Sequence, residues 1–289
     1  MREEAGPDDA TQLRRVAETV AAEAAAHLRD LPRPDARGVS TKSSPTDVVT
    51  MADTAVEQLL RDRLARLRPG EAVVGEESGG AGATSGVTWV VDPIDGTVNY
   101  LYEVPAYAVS VAVVVGDARA QGGWTPVAGA VADPSLRLVH HAGRGTGAWT
   151  RPEAAPDGGS SGAAPTRLSV SVEDRLARTL LATGFGYAPE VRARQAEVLL
   201  RVLPLVRDIR RIGSAALDLV RVADGSVDAY AESGLNAWDL AAGWLIAEEA
   251  GGVVVGEGTH PGKALTVAAG PALVEQVRTL FVAGAEPTP

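Results

Sequence analysis

The chain has 289 residues, 45% of them apolar and 22% charged, and a net charge of −10, the composition of an ordinary folded protein with ample material for a core. The acidic balance argues against a general nucleic-acid or anionic-membrane surface, because such partners need lysine and arginine to release counterions. With no cysteine, disulfides, thiolate nucleophiles and cysteine-based zinc or iron–sulfur sites are excluded, leaving carboxylates, histidines and other oxygen donors for any metal.

The start, MREEAGPDDA, has no basic stretch followed by an apolar one, and no uncharged run nears the roughly 18 residues that span a bilayer. A cytoplasmic protein without a membrane partner is expected. Residues Asp9 to Leu31 are alanine-rich and amphipathic, predicting a helix that ends at Pro32 and Pro34. A second helix is predicted from Asp53 to Leu67, stopped by Pro69 and Gly70. Between them KSSPTDVVT is a polar loop in which Pro45 holds its neighbour extended. The strand AVVGEES, a glycine-rich loop and the strand TWVVD come next. AYAVSVAVVVG, PVAGAVADP and LRLVHHAG, with turn signals between them, then predict an antiparallel meander. His140 and His141 are neighbours on its last segment and are expected to face opposite sides.

Arg151 to Pro165 is rich in Pro, Gly, Ser and Ala and reads as a flexible surface loop. After it strand and helix alternate: RTLLATGFG, PEVRARQAEVLLRVLPLV, RDIRRIG, SAALDLVRVADG, VDAYAES, and NAWDLAAGWLIAEEAGG, a helix closed by Gly251. A meander followed by alternation predicts a layered α/β sandwich.

Four acidic positions stand out: Asp47 with Asp53, Glu76 with Glu77, Asp92 with Asp95, and Asp239. Taken singly, an Asp before an apolar helix is most often an N-cap, and glutamates at a strand end usually face solvent. The stretch WVVDPIDGTVN is harder to explain that way. A strand of Trp89, Val90 and Val91 delivers Asp92 at its end, Pro93 fixes a turn, and Asp95 comes round at i+3, so both carboxylates can converge. Gly96 then allows close backbone approach, and Thr97 stands where a helix would begin. This combination offers oxygen ligands for a hard cation beside N–H groups for a phosphate. Oxygen-only ligation favours Mg²⁺ over zinc. Two such ions roughly 3.5–4 Å apart are a recurrent solution to phosphate ester hydrolysis.

KSSPTDVVTMAD, VVGEES, WVVDPIDGTVNY, RRIGSAALDL and NAWDLAAGWLIAEEAGG together resemble the inositol monophosphatase family, in that order and at its spacing, from about Leu13 to Leu280. TGFGY and VRDIRRIGSAALDLV point to its bacterial branch. The resemblance implies an α/β fold, an αβαβα layered sandwich of the inositol monophosphatase/fructose-1,6-bisphosphatase type. The whole chain, 1–289, would be one such domain, with an N-terminal α+β part over about 9–150, the loop 151–165 and a C-terminal α/β part over about 166–283.

The resemblance further implies Mg²⁺-dependent hydrolysis of inositol 1-phosphate, inhibited by Li⁺. Glu76, Asp92 and the carbonyl of Ile94 would hold one ion, and Asp92, Asp95 and Asp239 a second. A loose third would be near Glu76, with Asp53 behind it. Glu76 and Thr97 would orient the attacking water, and the N–H groups of Gly96 and Thr97 would hold the phosphate. Asp95, the Gly213, Ser214 and Ala215 turn, and Glu232 would contact the substrate hydroxyls. A homodimer is expected, with a small phosphomonoester as partner and no direct nucleic acid.

The sequence departs from the family pattern at Asn236, where many relatives have His, and at Ala231, where Tyr is common; both are expected to bear on substrate fit. Trp238 is expected to pack and orient its helix, and Lys42 belongs to a loop that can close over the site. Alternatives keep the chemistry and change the ester to histidinol phosphate, fructose 1,6-bisphosphate or a 3′-phosphoadenosine nucleotide. A different class of reading is a non-catalytic interaction or regulatory role. A second phosphate would need a basic patch, and no such cluster of lysine and arginine stands beside the motifs, although Arg210 and Arg211 are close in sequence.

Overall fold

The computed structural model describes residues 7–32, 40–41, 48–49, 51–80, 86–120, 122–153 and 164–282. Lys42, Pro45, Asp47 and most of the 151–165 loop lie outside them. Helix α1 (Pro7–Asp30) carries a stripe of Leu13, Ala17, Val20, Ala21, Ala24 and Leu28, each at most 3% exposed. Small residues at this spacing let the helix lie close against a sheet. Two short strands, β1 (Ser40–Thr41) and β2 (Val48–Val49), pair antiparallel before α2 (Met51–Leu67).

The first sheet has seven strands: β3 (Ala72–Gly75), β4 (Val87–Asp95), β5 (Ala108–Gly116), β6 (Trp124–Asp133), β7 (Leu138–Gly143), β8 (Ala148–Pro152) and β9 (Thr166–Arg167), in that spatial order. Only β3 and β4 run parallel; the rest form the expected meander, extended by β8 and β9. Arg151 and Pro152 therefore belong to a strand rather than to the loop expected to begin at Arg151. A five-residue helix, α3 (Thr97–Leu101), follows β4.

The second sheet takes its strands from the alternating half, in the order β11 (Asp208–Arg210), β10 (Leu180–Thr183), β12 (Ala229–Glu232), β14 (Thr266–Ala269) and β13 (Val253–Val255). Helices α4 (Pro189–Val202), α5 (Ala215–Ala223), α6 (Ala237–Glu249) and α7 (Val274–Val282) complete the chain. Here β11, β10 and β12 are parallel, whereas β14 and β13 pair antiparallel.

Strand alternation distributes the core into three apolar clusters. Trp89 and Val91 of β4 point to α1 and α2, while Val90 points to α5 and α6. In the second sheet Ala182, Tyr230 and Ala268 face α5 and α6, and Leu181, Ala229, Ala231 and Val267 face α7 and the end of α4. The layers are thus helix, sheet, helix, sheet, helix, the expected αβαβα order. The middle layer is tight: a Cβ added at Gly243 of α6 would lie 2.6 Å from Leu219 Cβ of α5. No helix among the described residues is long and apolar enough to cross a membrane.

His140 and His141 do face opposite sides of β7. His141 Nδ1 lies 2.9 Å from Arg14 Nη1 of α1, an arrangement in which the ring nitrogen accepts, and Glu18 Oε1 is 3.8 Å from Nε2. His140 looks the other way, towards Asp224 and Arg221. Burial pushes both imidazoles down to about 4. In the unfolded chain they titrate near their ordinary value of 6.5. The unfolded state therefore binds more protons between these limits, so this stability is present above pH 6.5 and is lost as pH falls towards 4. Each ring contributes up to ~1.4 kcal/mol per pH unit. Thermal unfolding at pH 7, 6 and 5 should show a falling midpoint whose slope is shallower in His140→Gln and His141→Gln; an unchanged slope in both would refute the assignment.

Candidate active site

Asp92 and Asp95 do not sit at the end of a strand and its turn, as the sequence predicted. Both lie within β4, which continues through Pro93 to Asp95. Asp92 is opposite Ser110 and Asp95 opposite Ala108, so β4 spends three residue steps against two on β5. Residues at i and i+3 on a regular strand face opposite sides; one extra residue in a bulge turns Asp95 back to the side of Asp92. Ile94 is correspondingly sent to the α1/α2 side, where it is 1% exposed. Pro93 falls at the bulge, where strands tolerate a residue without an N–H.

Gly96 ends the strand with φ +92°, the left-handed region that glycine favours. A Cβ here would also lie 3.0 Å from the carbonyl oxygen of Gly213 and 3.1 Å from that of Ala106. The bulged strand is therefore pressed against the turn before α5. Asn99, buried on α3, ties the two together by donating to Ala106 O at 2.7 Å and Ile212 O at 2.8 Å.

Two helix starts complete the wall. Ser214 caps α5 by accepting Leu217 N–H at 3.2 Å, and its hydroxyl donates to Asp95 Oδ2 at 2.6 Å; Ala216 N–H reaches the same oxygen at 2.7 Å. At α6, Asp239 Oδ2 accepts the Asn236 N–H at 2.7 Å. Asp239 is therefore not the N-cap of α6, which is Asn236, but the third helical residue, half of a capping box whose carboxylate also lines the cleft.

The result is a cleft of about 250 Å³ between the sheets, with Glu76, Asp92, Ile94, Asp95, Gly96 and Thr97 on one side. Gly213, Ala215, Glu232, Asn236 and Asp239 contribute to the other. Loss of solvent and the charges of Glu76, Asp95 and Asp239 hold the Asp92 carboxyl well above the usual carboxylate range. Asp239 is raised likewise by desolvation and then by Glu76 and Asp95. Desolvation lifts Asp95 to about 6 against the opposing pull of its Ser214 and Ala216 hydrogen bonds. Glu232 rises to about 7, chiefly through desolvation, while the Tyr230 hydroxyl donating at 2.6 Å opposes the rise.

The profile of the inositol monophosphatase family matches residues 9–280. The chain belongs to that family. It is 47% identical to the inositol-1-monophosphatase of Mycobacterium bovis over 303 aligned positions, covering 98% of this chain and 99% of the relative. It is 39% identical to Nus factor SuhB of Escherichia coli over 223, covering 76% of each. The solved structure of Mycobacterium tuberculosis SuhB superposes with a TM-score of 0.76 at 45% identity, over 95% of this chain and 97% of that one.

Of the residues that the family resemblance singled out, two stand behind the wall rather than in it. Asp53 is fully buried in the first turn of α2 and is not its N-cap; its Oδ1 accepts the Thr97 hydroxyl at 3.1 Å, a proton for which Ile94 O at 3.0 Å competes. Ser214 is 1% exposed and acts on Asp95 and α5. Ala231 is a correction: it is fully buried in the cluster beyond the second sheet, so its departure from Tyr bears on packing. Asn236 does line the cleft. Trp238 packs against the middle-layer core, as expected.

Sequence reading missed Gly184, Phe185, Tyr187 and Arg211 in the cleft wall. TGFGY and RRIG served only as marks of resemblance, and nothing local tells which of two adjacent arginines turns inward. The structure pairs Arg210 with Asp208 at 2.6 Å and places Arg211 over Phe185, 6.0 Å from the ring centroid.

The family is generally metal-dependent, and the donor set fits a hard cation: carboxylates and one main-chain carbonyl, with no thiolate. Among the described residues no three His, Asp or Glu side chains stand as a ready-made ion cage. What favours a cation is charge, since Asp92, Asp95 and Asp239 are crowded into one cleft where burial and neighbouring carboxylates raise their pKa values. Asp92→Asn should therefore stabilise the metal-free protein at pH 7. A carboxyl whose folded pKa is raised destabilises above its unfolded value near 3.8. In chelator, the variant should melt above wild type at pH 7, with the gap closing towards pH 4; a lower melting point at pH 7 would contradict the crowding.

Proposed function

We propose that the protein is a Mg²⁺-dependent phosphomonoesterase that hydrolyses inositol 1-phosphate to inositol and phosphate. One observation carries the reading: in a chain of this family, Glu76, Asp92, Asp95 and Asp239 share a cleft with Gly96 and Thr97. In this reading Glu76, Asp92 and the Ile94 carbonyl would hold one ion, Asp92, Asp95 and Asp239 would hold a second, and a third would be loosely held near Glu76. Bound Mg²⁺ supplies a Lewis acid that lowers the pKa of water towards ~7 and offsets phosphate charge.

The chain's own residues then supply position. Glu76 and Thr97 orient a water in line with the scissile P–O bond, and Asp53 behind Thr97 fixes its hydroxyl. The N–H groups of Gly96 and Thr97 hold the phosphate. The water oxygen bonds to phosphorus as the P–O ester bond breaks, and a proton from the attacking water ends on the departing oxygen to give inositol. Asp95, the Gly213 turn with Ala215, and Glu232 bind the hydroxyls, and Ser214 contributes through Asp95. Inhibition by Li⁺, assembly as a homodimer and action of the whole chain as one domain are parts of the same proposal. A second reading, a non-catalytic regulatory role, is favoured by the resemblance to Nus factor SuhB.

Phosphate release with Mg²⁺ is to be compared for inositol 1-phosphate, histidinol phosphate, fructose 1,6-bisphosphate and 3′-phosphoadenosine 5′-phosphate, each with and without Li⁺. Preference for inositol 1-phosphate is expected. Preference for another ester replaces the substrate, and no Mg²⁺-dependent release from any supports the regulatory role. Asp92→Asn should lose about 10²-fold or more, the scale for removing one electrostatic stabiliser. Glu232→Gln should change the ranking of alcohols more than the rate on an aryl phosphate; an equal loss on every substrate would remove Glu232 from the specificity wall.

A further inference from the structure

Glu57 of α2 is 2% exposed and does not line the cleft. Its Oε2 accepts Glu77 N–H at 2.8 Å, and its Oε1 accepts Ser78 N–H at 3.1 Å, the Ser78 hydroxyl, and Arg61 Nε at 2.9 Å. Arg61, one helical turn on, also donates to Val73 O at 3.1 Å and Gly79 O at 2.7 Å. The turn so gripped is closed by Gly75 N–H to Gly79 O at 2.9 Å and Gly79 N–H to Gly75 O at 3.1 Å. Glu76 is its first residue, and its N–H also reaches Val91 O at 3.3 Å beside Asp92. Close approach requires Gly75, where a Cβ would lie 2.6 Å from the Glu57 carboxylate.

A buried carboxylate is costly unless its lone pairs are met. All of Glu57's bonds but one go to the backbone and hydroxyl of this single turn, and the remaining one goes to the arginine that ties the turn's end at Gly79 to Val73 in the strand before it. Arg29–Glu153 and Arg63–Glu23, by contrast, join side chains alone. We infer that Glu57 is a positioning residue: by fixing the Glu76–Ser78 backbone, the Glu57–Arg61 pair presents the Glu76 carboxylate to the cation in the cleft. Glu57 touches neither cation nor substrate. The inference rests on the functional reading above, in which Glu76 is a ligand.

Calorimetric titration with Mg²⁺ of the full-length wild type, Glu76→Gln, Glu57→Gln and Ser78→Ala tests it, with circular dichroism and urea unfolding as controls for the fold. Glutamine keeps the shape of Glu57 but replaces one acceptor oxygen with a donor that opposes the turn N–H groups. Folded Glu57→Gln should bind Mg²⁺ about 10-fold or more weakly, the range for partners that orient a ligand. Ser78→Ala, which removes only the hydroxyl, should show a smaller loss. A role confined to stability would lower the urea midpoint and leave the Mg²⁺ affinity of the folded variant unchanged, which overturns the inference. Equal affinity in wild type and Glu76→Gln would instead remove Glu76 from the site and overturn the functional reading. If Glu57→Gln does not fold, folded Ser78→Ala with wild-type affinity is the overturning result.

Discussion

Negative charge confined between two sheets is the condition around which the rest of this structure is arranged. Asp92 and Asp95 are 1% and 9% exposed, and Glu76 and Asp239 face the same space. Burial first, and then repulsion from neighbouring carboxylates, raises the pKa values of Asp92, Asp95 and Asp239. The fold tolerates the three aspartates by giving each a donor it can keep: Ile94 N–H at 3.0 Å for Asp92, Ser214 and Ala216 for Asp95, and the Asn236 N–H for Asp239. Crowding these carboxylates into one cleft gives up stability locally.

That arrangement needs parts far apart in the chain to meet. A bulge in β4 brings two carboxylates to one side, a turn after β3 adds Glu76, and the starts of α5 and α6 close the opposite wall. The middle layer of small and apolar side chains sets the spacing. Gly243 against Leu219 and Gly129 against Ala242, with prospective Cβ contacts of 2.6 and 2.9 Å, draw α6 onto both α5 and β6. The α6 start is thereby held against β5, where Ser110 Oγ donates to Trp238 O at 3.2 Å. Close packing of the centre thus fixes the distance between the cleft walls.

The far wall differs in character. Phe185, Tyr187, Arg211 and Glu232 give it aromatic faces, a guanidinium and a carboxylate, a mixture suited to a polar molecule rather than to a bare phosphate. Gly184 is required there, since a Cβ would overlap the Glu232 carboxylate. Glu232 is in turn held by Tyr230.

The sequence by itself determined the layered α/β class, the meander, nearly every helix and the identity of the acidic set. These follow from local periodicity and from motifs whose spacing is a property of the chain. It misplaced the end of β4, because a bulge depends on what pairs with Asp92 and Asp95, and that partner strand is a dozen or more residues away. It did not register β13, β14 and α7 as elements, since short apolar runs such as VVV and TVAA become strands only when neighbours pair with them.

Only the tertiary structure decided that Ser214 serves Asp95 from behind, that Ala231 belongs to a core, and that Arg211 turns inward while Arg210 stays with Asp208. Only it placed Glu57 under the turn that carries Glu76, across 19 residues of chain. The physical reason is common to all of these. Residue type and spacing record what a side chain can do, whereas which partner it meets is set by sheet register and by layers packed from distant segments.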